Sequence, residues 1–528
     1  MYIRYRKAQT AGNGPQNSSP ERIGFEEGKK KKPLKKPINF RDCAYSGAIG
    51  NGIRYKGNYF VTHSDLPHRH SAIQTCQPYQ KIVLLLIAGL VLAGALMDIK
   101  SALIVVVAVL SAFYFLDLLF NFFLIIKSFQ KSREIKITAA EIGELDGEKL
   151  PVYTIFCPLY KEWQVIPQFT RAISKIDWPK DKLDVQLLLE EDDPQTIAEA
   201  EKMDLPGYFR IIVVPHGHPK TKPKACNYGL CHAKGEYAVI FDAEDIPDPD
   251  QLKKAYLAFR KLKDEKVLCV QAKLNFYNAR QNILTRFFSA EYALWFNLVL
   301  VGLQSIKSPI PLGGTSNHFR TRDLQLLSGW DPFNVTEDCD LGIRIAKLGY
   351  RTEIFNSNTM EEATSKVGNW MRQRSRWIKG YMQTYLVHMR RPCEFASDLR
   401  NPQVLTFQLV VGGKVLSIFI NPLMWLLVIS YFSFRATMGP LIEPLYPKPV
   451  FYISIFSLVF GNFLQVYYYM IGCAKREQWD MIKYVFLVPV YWLMMSIASW
   501  KALWQLVFKP HYWEKTVHGF HLAVKKNA

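Results

Sequence analysis

Apolar positions follow two regimes along this chain. Two long apolar runs lie before residue 130 and three lie beyond residue 400, with shorter, regularly interrupted runs between them. Ile82 to Met97 and Ala102 to Ile126, broken by Asp98, Lys100 and Ser101, predict a helical hairpin. Each arm approaches the roughly 20 apolar residues that a helix needs to cross a hydrocarbon core about 30 Å thick. Runs from Val411 to Tyr431, Phe451 to Ile471 and Ile482 to Ala498 predict three more spans. The pattern is that of an integral membrane protein.

Between these runs the period changes. Pro151 to Pro158, Val185 to Leu189, Tyr208 to Pro215 and Glu236 to Phe241 are short β-rich runs, with a helical stretch from Val165 to Ile176 after the first. Continuous apolar strands alternating with helices predict a mostly parallel α/β sheet covered on both faces. Glu190-Glu191-Asp192-Asp193 and Asp242-Ala243-Glu244-Asp245 each begin where such a strand ends. Open sheets place ligands at those carboxyl ends. Leu284 to Gln304 resembles a span but contains Arg286 and Glu291, with Phe287, Phe288, Tyr292, Trp295 and Phe296 at helical spacing. It predicts a helix in the headgroup layer, the alternative being a buried core helix. Asn369 to Tyr385 is likewise aromatic and basic.

The 528 residues carry a net charge of +20. The spans account for that charge without nucleic acid, because positive residues gather on the cytoplasmic side. Lys81, Lys127, Lys131, Arg133 and Lys136 put both hairpin ends, and the middle region, inside; Lys475 and Arg476 do the same for the loop after the fourth run. Five spans would leave the tail outside, yet it carries Lys501, Lys509, Lys515, Lys525 and Lys526. An inside tail is preferred, the last run being re-entrant or interfacial, or a further span being present. The first apolar run begins too far along for a cleaved signal peptide. Residues 1–80, with Lys29 to Lys32 and Lys35-Lys36, read as a basic, largely disordered region. Its lysines fix orientation and attract anionic lipid headgroups. The expected division is then a hairpin over 81–127, a cytoplasmic α/β domain with interface helices over 128–400, about three spans over 401–508 and a basic tail over 509–528. Nine scattered cysteines, Cys226 and Cys231 included, form no zinc pattern and read as reduced thiols. The Asn334-Val335-Thr336 sequon lies on the wrong side for glycosylation.

Several groups carry chemistry beside plainer readings. Asp242, Glu244 and Asp245 are either a solvated turn or carboxylates that hold Mg²⁺ or Mn²⁺ against a diphosphate. Lys222 and Lys224 supply positive charge for the same phosphates. Asp338, in Thr336-Glu337-Asp338, is either a helix cap or a general base. Gln373, Arg376 and Trp377 share a helix face, either as an interfacial anchor or as a guanidinium fork for pyrophosphate beside an apolar plate for sugar.

Taken in order, Glu190 to Asp193, Asp242-Ala243-Glu244-Asp245, Thr336-Glu337-Asp338 and Gln373-x-x-Arg376-Trp377 resemble the membrane-bound inverting glycosyltransferases of family 2. That family includes the cellulose, hyaluronan and exopolysaccharide synthases. The resemblance covers roughly residues 150 to 385. It implies an α/β, GT-A-like (nucleotide-diphospho-sugar transferase) cytoplasmic domain inserted between transmembrane α-helices of the cell membrane. It further implies that Tyr160 stacks on uracil, with Glu162 beside it, and that Glu190, Glu191, Asp192 or Asp193 meets the nucleoside. Glutamates at 190 and 191 depart from the family's aspartates. Lys224 and Asn227 fall near the diphosphate, and Asp242 and Glu244 at the metal, Mg²⁺ or Mn²⁺, with Glu244 in place of a second aspartate. Gly314, Thr315 and Ser316 line the acceptor, with Gln373 and Trp377; Asp338 is the base, and Arg376 meets the leaving group. Glu361-Glu362 has no assigned part.

The expected function is transfer of a sugar from a UDP-sugar to a growing polysaccharide. The alternatives are transfer of one sugar to diacylglycerol or another lipid, and a non-catalytic scaffold or transporter. Export or regulatory subunits are compatible partners. No soluble regulatory domain is recognisable in the sequence.

Overall fold

A computed structural model describes residues 48–129, 134–262, 264 and 266–515. The lysine run at 29–36 lies outside them. Among the described residues, ten strands form two sheets. β1 (Gly52–Tyr55) and β2 (Asn58–Val61) make a hairpin. The other eight are β3 (Tyr153–Leu159), β4 (Leu183–Glu190), β5 (Phe209–Val214), β6 (Tyr237–Ile240), β7 (Ile246–Pro247), β8 (Val267–Phe276), β9 (Asn317–Arg320) and β10 (Arg351–Glu361). They lie in the order β5-β4-β3-β6-β9-β8-β10-β7.

The four strands expected from sequence form one parallel half, with β4 and β6 flanking β3 and β5 outside β4. Ile155, Val185, Leu187, Leu189 and Val239 fill its buried core. The sheet is mostly parallel, as expected: β8 and β10 also pair in parallel and run the same way as β3 to β6, and only β9 and β7 are reversed. Strand β9 runs antiparallel to both β6 and β8, and β7 runs antiparallel to β10. Short polar strands such as β9, "NHFR", lack the apolar run that marks a parallel core strand.

Five helices among the described residues are long and apolar enough to cross a membrane: Pro78–Met97, Ile99–Phe129, Ile283–Ser305, Asn401–Ser433 and Lys448–Lys475. The Ile283–Ser305 helix is mostly buried in protein, so the headgroup-layer expectation gives way to the buried-helix alternative. Its rings pack on the sheet, Phe288 and Tyr292 lying 4.6 and 4.4 Å from Phe276. Gly302 permits contact with the Ile99–Phe129 helix, since a Cβ there would fall 2.5 Å from the Leu124 carbonyl oxygen.

The expected fifth span is a bent pair, Trp479–Val485 and Val488–Phe508, meeting at 68°. Both ends are tied to the α/β domain. Asp480 accepts two 2.8 Å hydrogen bonds from Arg280, and Gln383 and Lys379 donate to the Pro510 and Tyr512 carbonyls at 2.9 and 2.6 Å. Both ends of the bent pair therefore lie against the α/β domain.

The expectation of disorder over 1–80 fails from residue 48 onward. This stretch lies on the α/β domain through backbone groups that a composition reading does not weigh. Asp331 accepts from the Ser71 hydroxyl at 2.9 Å and the Ala72 N–H at 2.6 Å, and Arg390 donates to the Arg69 carbonyl at 2.8 Å.

Candidate active site

The carboxyl ends of β3, β4 and β6 open into one cavity of about 1020 Å³. The turn after β6 is fixed by Asp245, which is fully buried. Its Oδ2 accepts from the Asp242 N–H at 2.7 Å and the Thr315 hydroxyl at 2.5 Å. Burial, with Asp242 and Glu244 beside it, pushes the Asp245 carboxyl well above its ordinary range. With Asp245 turned inward, Asp242 and Glu244 line the cavity.

Opposite stands the start of the Glu337–Lys347 helix. Asp338 accepts from the Cys339 N–H at 2.7 Å and faces Gly314, where a Cβ would lie 3.5 Å from its Oδ2. Burial pushes Asp338 up to about 6, against the pull of that N–H, Lys222 and Arg376. Glu337, buried beside it, is pushed up to about 8 by burial and by Asp338.

The third wall is the Val367–His388 helix. Gly380 lets it press on Thr336, because any Cβ there would collide with the Thr336 side chain. Gln373, Arg376 and Trp377 all reach the cavity, as their spacing predicts. Arg374 anchors the same helix: it donates to Glu291 at 3.1 Å and to the Tyr491 hydroxyl at 2.8 Å, and lies 4.7 Å from the Trp377 ring.

Residues from six stretches of sequence thus meet at one cavity: Tyr160 and Glu162, Glu190, Asp242 and Glu244, Gly314 and Thr315, Asp338, and the Gln373–Trp377 face. Six expected site residues do not line it. Glu191 accepts from the His216 N–H at 2.6 Å on the exposed side. Asp192 accepts from Lys220 and, at 3.3 Å, from the Tyr160 hydroxyl, and so supports the tyrosine from behind. Asp193 caps the Pro194–Glu201 helix and takes the Lys161 N–H at 2.5 Å. Lys224 is sealed against Glu190 at 2.8 Å. Asn227 bonds the Thr62 and Trp330 carbonyls at 3.1 and 2.9 Å. The Ser316 hydroxyl pairs with that of Thr359 at 2.6 Å. For Lys224 and Asn227 the reason is helical phase: Lys222, two positions earlier, points to the cavity instead.

Sequence reasoning missed the tail. Trp513 and Lys515 line the cavity, Lys515 pairing with Glu162 at 3.0 Å and Arg376 lying 4.6 Å from the Trp513 ring. One tryptophan in a basic tail carried no signal of this. Glu361 and Glu362 also line the cavity. Burial and the carboxylates of Asp245, Asp242 and Glu244 push Glu361 well above the ordinary glutamate range.

The oxygen-rich pair Asp242 and Glu244 suits a hard divalent cation that keeps phosphate or water as its other ligands.

Residues 237–471 match the family described as glycosyl transferase family group 2. This chain carries a family 2 glycosyltransferase domain. Its mixed α/β sheet stands between flanking apolar helices, as the sequence led one to expect. The glycosyltransferase domain also has relatives by sequence. One is a probable glycosyltransferase, YdaM, of Bacillus subtilis (strain 168), 29% identical over 44% of this chain and 56% of its own length. Another is the probable glucomannan 4-beta-mannosyltransferase 10 of Arabidopsis thaliana, 27% identical over 45% of this chain and 44% of its own length. The chain thus spans about half the length of these relatives. A mannosyltransferase from Pyrobaculum calidifontis, solved with GDP-Man and Mn2+, aligns over 72% of this chain and 99% of its own at 17% identity, with a TM-score of 0.39.

Proposed function

We propose that this protein is a membrane-bound inverting glycosyltransferase that moves a sugar from a nucleotide-sugar donor onto a growing polysaccharide. In this reading residues 128–400 form the catalytic domain on the cytoplasmic side of the cell membrane, with the spans about them. The observation that carries it is the continuity of the cavity. From Asp242 and Asp338 it runs between the membrane helices to Trp425, Tyr431 and Tyr446. Asn121, Asn421, Asn462 and Gln465 line that inner stretch. Amide and aromatic side chains suit a hydroxyl-rich glycan better than an acyl chain, which has no use for buried hydrogen-bonding groups.

In the reaction, Asp338 takes the proton from the acceptor hydroxyl, whose oxygen attacks the anomeric carbon from the side opposite the leaving nucleoside diphosphate. Configuration inverts in one displacement. Arg376 offers its planar fork to the departing diphosphate. Trp377, held by Arg374, presents its ring to the acceptor sugar, and Tyr160 stacks on the donor base. A divalent cation held by Asp242 and Glu244 would supply electrostatic stabilisation of the diphosphate charge.

The donor screen runs from UDP-sugars to GDP-mannose, which enters because two plant relatives are named mannosyltransferases. Membranes containing the protein, incubated with each labelled donor, should yield a large, glycosidase-sensitive product. A product extracted wholly into organic solvent would favour the lipid acceptor instead. No donor turnover and no nucleotide release with any donor would return the chain to the scaffold reading.

A further inference from the structure

Asp242 already has a cation. Its Oδ1 accepts a 2.5 Å hydrogen bond from the Lys222 ammonium, which also donates to the Gly314 carbonyl at 2.8 Å. Lys222 opens the Lys222–Cys231 helix, and its side chain is 16% exposed against 34% for Asp242, so the pair sits at the cavity wall.

We infer that Lys222 is a resident counter-ion of the metal site, holding Asp242 until a nucleoside diphosphate arrives. The inference rests on the reading of Asp242 and Glu244 as metal ligands. An ammonium at 2.5 Å and a divalent cation compete for the same carboxylate oxygen and repel each other. Without nucleotide, a metal that displaces Lys222 leaves a largely buried ammonium whose remaining hydrogen-bond partner is the Gly314 carbonyl. Such a charge is expensive unless it is paired. A diphosphate removes that penalty, because its oxygens give the released ammonium a new anionic partner. Metal and nucleotide binding are therefore coupled, and the coupling is reciprocal. The donor-free enzyme keeps its metal site closed, and the donor opens it.

The test measures Mn²⁺ affinity of the purified full chain in detergent, from the electron paramagnetic resonance signal of free Mn²⁺. It is run with and without UDP and GDP. Wild type should bind Mn²⁺ about tenfold or more tightly with the matching nucleotide than alone. Lys222→Gln, or Lys222→Met if the first does not fold, should bind Mn²⁺ alone about tenfold more tightly than wild type does. Lys222→Arg keeps the charge and should keep the wild-type coupling. Unchanged Mn²⁺ affinity in nucleotide-free Lys222→Gln and Lys222→Met, with wild type binding Mn²⁺ in the presence of nucleotide, overturns the inference alone. Wild type that binds no Mn²⁺ with either nucleotide overturns the reading of Asp242 and Glu244 beneath it.

Discussion

The guanidinium of Arg376 lies 4.6 Å from the centre of the Trp513 ring, joining the helix of the third cavity wall to the chain's C-terminal stretch. Glu514 reinforces the junction by accepting from the Ser375 hydroxyl at 3.3 Å and from Lys501 at 2.8 Å. The tail is thus a wall of the candidate cavity and holds Arg376, the residue proposed to meet the leaving group.

Trp513→Ala should loosen that guanidinium. A cation–π contact of about 0.5–2 kcal/mol corresponds to donor affinity weakened about two- to thirtyfold. The KM for donor measures it. An unchanged KM would show that Trp513 merely covers the cavity.

Asp338→Asn keeps the shape of the side chain but removes the base. Transfer should fall by about 10²- to 10⁴-fold, the usual worth of general-base catalysis. Nucleotide binding, read by fluorescence or calorimetry, should survive. Transfer close to wild type would move the base elsewhere, with Glu337 the nearest carboxylate to try.

Burial places the Asp338 carboxyl at about 6, which gives the reaction a pH signature. A base acts only when unprotonated, and its unprotonated fraction grows as pH rises through that value. Turnover should therefore climb on the acid side and level off above about 6. A profile at saturating donor that is flat across this range, or that falls as pH rises through it, contradicts the assignment.

On the same helix as Asp338, Arg344 and Asp340 form an ion pair at 2.8 Å with both side chains fully buried. Arg344 also donates to the Leu327 and Gly329 carbonyls at 2.8 and 2.7 Å. Burial would raise Asp340, but Arg344 and His388 outweigh it and hold the carboxyl below its ordinary range. Arg344→Met removes the cation from that carboxylate, which keeps only His388 at 3.0 Å, and leaves two carbonyls without their donor. It should cost about 3–5 kcal/mol, read as a large loss in thermal unfolding temperature. The exposed pair Lys202–Glu199 provides the contrast, and Lys202→Met should leave the unfolding temperature unchanged.

Local pattern alone carried the membrane class, the four parallel strands and the acidic turns at their ends. A buried strand and a span each need an apolar run of fixed length, and that requirement is written in consecutive residues. The helix face of Gln373, Arg376 and Trp377 was legible for the same reason, since a period of 3.6 residues fixes which side chains are neighbours. Tertiary structure alone decided which polar groups face the cavity. Lys222 rather than Lys224 reaches Asp242, and of the four acids from Glu190 to Asp193 only the first lines the cavity, because position on a helix or turn becomes orientation only when its neighbours are in place. It also decided the path of the chain's last described residues, where Trp513 and Lys515 close the cavity. Their partners Arg376 and Glu162 lie far away in sequence, and contacts of that kind leave no period in the chain that makes them.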